Sequence, residues 1–244
     1  MIAESAPYTV ALVPAKLTSQ RVPNKNLQEV GGQALYVYSV RAGLHTPGIA
    51  ETFVSSESQE LLDSGASWGA HPILRPASLC DPLVSNQMVI AHALEYIEAA
   101  RGRRPDLLVL LQPTHPFRCP GDIAGAMGLM AGDPDADSVF ALRLDDELGG
   151  RLDGGQFVPE VPLPRRRRSE VPRYANTGSF YILRVSRTIA KGSFFGHRIR
   201  GFVLSRPEME IDIDRPEQLA MARALAEFFR DDLRAYGLLD AERS

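Results

Sequence analysis

Short apolar runs alternate with stretches of helical spacing along most of the chain. Residues 8–13 (YTVALV) form a compact β-prone run stopped by Pro14, the pattern of a buried strand. Apolar positions over 34–45 recur at helical spacing and end before Pro47. ETFVS over 51–55 is strand-like, and Ser56-Glu57-Ser58-Gln59 brings capping chemistry to the start of a helix. A short strand at 71–74 precedes Arg75-Pro76. Over 86–100, Met88, Ile90, Ala91, Leu94 and Ile97 predict a helix. DLLVLL over 106–111 is almost wholly apolar, as a central parallel strand covered on both faces must be. A helix over 121–131 and a strand over 137–142 continue the alternation. Strands and helices in turn, joined by short connections, predict a doubly wound α/β fold with a mainly parallel sheet.

The pattern breaks over 143–176. Four glycines (Gly149, Gly150, Gly154 and Gly155), four prolines and the run Arg165, Arg166, Arg167, Arg168 replace apolar periodicity there. Two readings stand, a β-rich arm or a mobile loop. The chain then returns with a strand at 179–184, a short helix near 185–190 and strands near 200–204 and at 209–213. A final helix is predicted over 216–235, striped by Leu219, Ala222, Leu225, Ala226 and Phe229. The expectation is one domain over 1–244 with 143–176 inserted in it.

Composition narrows the class. With 44% hydrophobic and 23% charged residues, the chain is ordinarily globular rather than disordered or coiled-coil. A net charge of −3 argues against a nucleic-acid partner. No apolar run reaches the roughly 18 residues of a membrane span, and the N-terminus lacks a basic leader, so a cytoplasmic location is expected. Two cysteines, Cys80 and Cys119, are too few for a disulfide framework. Only three lysines occur, and two of them, Lys16 and Lys25, fall within residues 14–26.

That stretch is the first candidate for chemistry. It follows the first strand, where open parallel sheets bind ligands. Ser19 and the loop amides offer an anion nest, and Lys16, Arg21 and Lys25 supply charge; the bland alternative is an exposed basic loop. The segment is neither a Walker A motif nor G-x-G-x-x-G. A second candidate is Leu111-Gln112-Pro113-Thr114-His115-Pro116-Phe117-Arg118. The two-sided amide of Gln112 suits a base edge, or is a satisfied loop amide; a lone loop histidine such as His115 is seldom a general base. The third is Glu210-Ile211-Asp212-Ile213-Asp214. Positions two apart on a strand face one side, so Asp212 and Asp214 converge as hard ligands for a divalent cation. Asp214 also reads as an N-cap, with Glu217 closing a capping box.

Together these segments resemble the CMP–sialic acid synthetases (acylneuraminate cytidylyltransferases) of the nucleotide-sugar transferase superfamily. The similarity runs through Val13-Pro14-Ala15-Lys16 with Ser19 and Lys25-Asn26-Leu27, and through Val54-Ser55-Ser56. It continues in Arg75-Pro76-Ala77 with Leu79 and Asp81, then in Leu111-Gln112-Pro113-Thr114 with Pro116 and Arg118. Gly178 through Ile182 and Ile211-Asp212-Ile213-Asp214 complete it. The resemblance implies a Rossmann-like domain, a Mg²⁺ cofactor on Asp212 and Asp214, and a CTP site formed by Ala15, Lys16, Ser19, Lys25, Asn26, Arg75, Ser85 and Gln112. It implies catalytic roles for Lys16, Arg21, Lys25 and Asp212. The acid substrate would meet Arg173, Gln112 and Thr114, and 143–176 would be a dimerisation arm reaching a second subunit. The first loop departs from the usual family pattern: Lys16 stands where Arg is usual and Gln20-Arg21 where Lys-Gly is usual. Arg21-Val22-Pro23 is similar to the loop of CMP-KDO synthetases. The expected reaction is CMP transfer from CTP to an acidic sugar with release of pyrophosphate. The alternatives are transfer to KDO or a phosphonate, or nucleotide binding without turnover.

Overall fold

The computed structural model describes residues 6–19, 21–81, 83–145, 149–159 and 172–240. Among these, seven strands make the central sheet. In chain order they are β1 (Thr9–Pro14), β4 (Glu51–Ser56), β5 (His71–Leu74), β6 (Leu107–Leu110), β7 (Ser138–Leu144), β10 (Tyr174–Arg184) and β11 (Ile199–Val203). Their spatial order is β11-β7-β10-β6-β1-β4-β5. β1 pairs in parallel with both β4 and β6, β4 with β5, and β11 with β7. β10 alone is antiparallel, to β6 on one side and β7 on the other. Two small hairpins lie outside the sheet, β2 (Glu29–Val30) with β3 (Gln33–Ala34), and β8 (Gly150–Asp153) with β9 (Gln156–Pro159).

Alternation along β1 sorts the core. Ala11 and Val13 face one apolar cluster, Val10 and Leu12 the other. The first cluster is closed by α1 (Leu35–His45), α2 (Gln59–Ser67), α4 (Pro120–Gly132), α5 (Pro216–Phe228) and α6 (Arg230–Ala235). The second is closed by α3 (Asn86–Arg101), which buries Ile90, Ala93, Leu94 and Ile97. Helices on both faces explain why β6 had to be apolar throughout. The predicted α/β class and mainly parallel sheet hold. No helix among the described residues is long and apolar enough to cross a membrane.

Several local expectations change. Residues 209–213 do not form a ladder strand. A 3-10 turn, Pro207–Met209, runs into an extended segment whose backbone reaches the loop after β6 through Ile213 N–H donating to Thr114 O at 2.9 Å. Ile211 and Ile213 still turn inward, so the alternation was real without the ladder. The helix predicted near 185–190 is a 3-10 turn, Ile189–Lys191. The last helix breaks at Phe229 into α5 and α6. Its cap is not built as expected: Gln218, not Glu217, reaches back, its Oε1 accepting from the amides of Asp214 (2.9 Å) and Arg215 (2.8 Å). The Asp214 carboxylate is therefore free of capping duty. In the excursion, the β8–β9 hairpin supports the β-rich reading over 150–159, whereas Arg165, Arg166, Arg167 and Arg168 fall outside the described residues.

Candidate functional site

The chain winds from β1 toward β4 and β5, then crosses back to place β6 on the other flank of β1. The loops after β1 and β6 therefore part at a topological switch point, which opens a crevice at the carboxyl edge of the sheet. A cleft of roughly 500 Å³ occupies it.

The loop after β1 supplies one wall. Ala15 is buried, its N–H donating to Ser55 O at 2.9 Å. Asn26 Nδ2 donates to Lys16 O at 2.7 Å and ties the two ends of the loop together. Asn24, at φ +48°, takes the left-handed conformation that Asn tolerates and turns the chain into Lys25–Leu27. Glu57, just past β4, accepts from Leu17 N–H at 2.8 Å. Burial raises the pKa of Glu57, but the amides of Glu57 itself and Leu17 outweigh it and hold the group below its ordinary value. With its backbone fixed, the loop presents Lys16, Ser19, Arg21, Lys25 and Asn26 to the cleft.

The opposite wall carries Arg75, Leu79, Cys80, Asp81, Val84, Asn86 and Val89. Arg75 is 5% exposed, donates to Ser55 O at 3.1 Å and lies 3.6 Å from Glu57, while its Nε has no hydrogen-bond partner. Ser85 is not part of the lining. Its Oγ accepts from Met88 N–H and caps α3.

Gln112, Pro113, Thr114 and His115 form the floor. Arg118, buried beneath them, donates to Gln112 O, Ser179 O and Ser39 Oγ, the last at 2.8 Å. Three acceptors explain how a guanidinium survives there, and it fixes the Gln112 backbone.

Asp212 and Asp214 close the cleft. Asp214 Oδ2 lies 2.9 Å from Arg21 Nη1 and Oδ1 lies 3.3 Å from Lys25 Nζ, which also donates to Ile213 O at 2.6 Å. Burial and then the neighbouring Asp214 charge push the Asp212 carboxyl above its ordinary pKa. Two half-exposed carboxylates lining one cleft are hard oxygen donors of the kind a divalent cation takes.

The structure thus gathers Lys16, Ser19, Arg21, Lys25, Asn26, Arg75, Gln112, Thr114, Asp212 and Asp214 around one cleft, from segments up to about 200 residues apart. Ala15 and Ser85 support it from outside the lining. Arg173 lies at the root of the excursion, 3.4 Å from Asp145. Two residues given no role by sequence reasoning also belong here. His115 lines the cleft, and Glu210 sits behind Asp212. His115 Nε2 is 3.5 Å from Glu210 Oε1 and 3.9 Å from Asp212 Oδ1. Burial pushes Glu210 up to about 7 and His115 down to about 3. Nothing in local sequence links positions 115 and 210.

A model of the cytidylyltransferase family matches residues 10–118, from β1 through the loop after β6. The chain is 27% identical over 92% of its length to a CMP-N,N'-diacetyllegionaminic acid synthase of Legionella pneumophila, covering 98% of that protein. It is 24% identical over 84% of its length to an N-acylneuraminate cytidylyltransferase of Escherichia coli, where it spans 49% of the longer relative. Among solved structures, a CMP:2-keto-3-deoxy-manno-octonic acid synthetase complexed with CTP superposes with a TM-score of 0.65. That pair is 18% identical and covers 90% of this chain and 98% of the other, a likeness of fold.

Proposed function

From the cytidylyltransferase model that matches residues 10–118 and the similarity to CMP-legionaminic acid and acylneuraminate enzymes, we propose that this chain is a cytidylyltransferase that transfers CMP from CTP to an acidic sugar of the nonulosonic, sialic-acid-like type. The observation that carries this reading is one cleft in which a cationic loop (Lys16, Arg21, Lys25) faces a carboxylate pair (Asp212, Asp214) across the switch point of the sheet.

In the reaction, a hydroxyl of the acid attacks the α-phosphorus of CTP. The new P–O bond forms as the bond to the β-phosphate oxygen breaks; pyrophosphate leaves, and the hydroxyl proton passes to solvent. Little covalent work falls to the protein, whose task is alignment and neutralisation of charge. Lys16, Arg21 and Lys25 hold the phosphates, with Ser19 as a neutral partner. Arg75 and Gln112 border the base, Arg75 through its unpartnered Nε. Thr114 and Gln112 line the floor on the acceptor's side. Asp212 and Asp214 would hold Mg²⁺, which supplies charge neutralisation at the phosphates when bound.

A homodimer is part of the proposal. The excursion and its roots expose Leu144, Leu152, Phe157 and Tyr174, apolar surface suited to a second copy. Arg173 lies at the base of that excursion and would bind the carboxylate of the acid in the partner's cleft. The location is proposed to be cytoplasmic.

The test is pyrophosphate release from CTP and Mg²⁺ with sialic, legionaminic and pseudaminic acids and KDO. Turnover with a nonulosonic acid supports the reading. Turnover with KDO alone moves the acceptor class. Tight CTP binding with no turnover on any acid replaces transfer by nucleotide binding.

A further inference from the structure

The segment carrying the two aspartates has no strand partner. Its placement rests on a few contacts, and two of them stand astride Asp212. On the C-terminal side, Ile213 N–H donates to Thr114 O at 2.9 Å. On the N-terminal side, Glu210 Oε1 faces His115 Nε2 at 3.5 Å. Consecutive residues of the loop after β6 thus grip the residues on either side of Asp212. The His115 ring is itself fixed, with Nδ1 3.0 Å from Thr114 Oγ1.

Both atoms of the second contact are buried, and neither makes a hydrogen bond of ordinary geometry. The two groups face each other at 3.5 Å inside the fold, so the position of one side chain constrains the other. Room for the ring comes from Gly178, at φ +79°. A Cβ there would lie 3.1 Å from His115 Cε1. Glu210 does not line the cleft. It lines a small void behind it, with Arg118 and Met209. It therefore acts on Asp212 from the rear and does not compete for a ligand.

We propose that His115 and Glu210 are positioning residues: their buried contact sets the register of the 210–214 segment and holds the Asp212 carboxylate at the angle from which it binds the divalent cation. This rests on the reading of Asp212 as a metal ligand. Partners that orient a ligand from behind typically account for 10–100-fold in metal affinity.

The probe is Mn²⁺, titrated calorimetrically and by electron paramagnetic resonance into the chain saturated with CTP, alongside CTP titration without metal. Glu210→Ala and His115→Ala should each weaken Mn²⁺ binding about 10–100-fold and leave metal-free CTP affinity within about twofold. Glu210→Gln retains an amide that donates to His115 Nε2 and should keep most of the Mn²⁺ affinity. The double variant should be no worse than either single one, because the pair acts as a unit. Where Glu210→Ala does not fold, Glu210→Met fills the space without the contact and carries the same expectation. Wild-type Mn²⁺ affinity in Glu210→Ala and His115→Ala, with Asp212→Asn weakened, overturns the positioning role and leaves the metal site standing. Equal loss of Mn²⁺ and metal-free CTP binding also overturns it, since that reports general collapse of the cleft. Asp212→Asn binding Mn²⁺ as well as wild type overturns both readings.

Discussion

Arg21 Nη1 lies 2.9 Å from Asp214 Oδ2, so a residue assigned to phosphate and one assigned to metal meet in one ion pair. Lys25 shares the same carboxylate at 3.3 Å. Phosphate alone would strip Asp214 of its cations, and metal alone would strip Arg21 and Lys25 of their anion. Arriving together, each ligand satisfies the groups the other releases, so their affinities are coupled, and coupling is reciprocal. Removing the carboxylate should release the cations. Asp214→Asn is expected to bind CTP without metal about two- to fivefold more tightly than wild type, the size of a largely exposed ion pair. It should also lose most of the gain that Mg²⁺ adds. Calorimetric titrations with and without Mg²⁺ decide this, and unchanged metal-free affinity would show that the pair does not restrain the cations.

Base choice provides a second expectation. Arg75 is buried with an unpartnered Nε, and Gln112 is held by Arg118 from below. A base whose edge does not complement them leaves buried groups unpaired, at about 1–3 kcal/mol each, or roughly 5–150-fold in affinity. CTP should raise the thermal midpoint more than UTP, ATP or GTP at equal concentration, and Gln112→Leu should narrow the margin. Equal shifts by all four nucleotides would contradict the assignment.

Much of this site is legible in the sequence, because loops at the carboxyl ends of apolar runs carry ligands in any open parallel sheet. Lys16, Gln112 and Asp212 could be placed on one edge from pattern alone. The direction of β10 could not. SFYILR is apolar on both faces, and a strand so covered reads alike whichever way it runs. Asp214 reads in sequence both as a metal ligand and as an N-cap boxed by Glu217; in the fold the return contact comes from Gln218, one residue on, and the Asp214 side chain is left to the cleft. His115 reads in sequence as an isolated loop histidine, since Glu210 is brought to it only by the fold.

The far end of the sheet gives a pH dependence. Asp137 accepts from His197 N–H at 2.7 Å, Arg198 N–H at 3.0 Å and Arg187 Nε at 2.8 Å. The two amides, and then Arg187, hold its carboxyl well below the usual carboxylate range. A depressed pKa contributes stability that is full above the unfolded value, about 3.9, and is lost as pH falls through that value toward the folded one. Asp137→Asn should therefore cost about 2 kcal/mol at pH 7, and the gap from wild type should close below about pH 4. Urea unfolding across pH 3–7 measures it; a gap independent of pH would assign the loss to packing rather than charge.

Subunit exchange addresses the arm. With Arg173 serving a neighbouring cleft, Lys25→Ala and Arg173→Ala should each be inactive alone. Mixed, they should recover about a quarter of wild-type activity, since half the molecules become heterodimers with one intact composite site. Arg173→Ala should raise the KM of the acid far more than that of CTP. A mixture that stays inactive although subunits exchange would return Arg173 to its own chain, where it already meets Asp145.

Because β10 runs against its neighbours, Tyr174 pairs with Leu144, and the excursion between them leaves and re-enters the sheet at the edge where the cleft opens. A parallel strand in that place would need its connection to cross to the opposite edge. The reversal makes the excursion a terminal appendage of one long hairpin. Its length and composition can drift without disturbing the β1–β6 crevice. Under the proposed role of Arg173, grafting a foreign segment between Leu144 and Tyr174 should change acceptor preference and leave CTP affinity as it is, which parallel titrations of acid and CTP would measure.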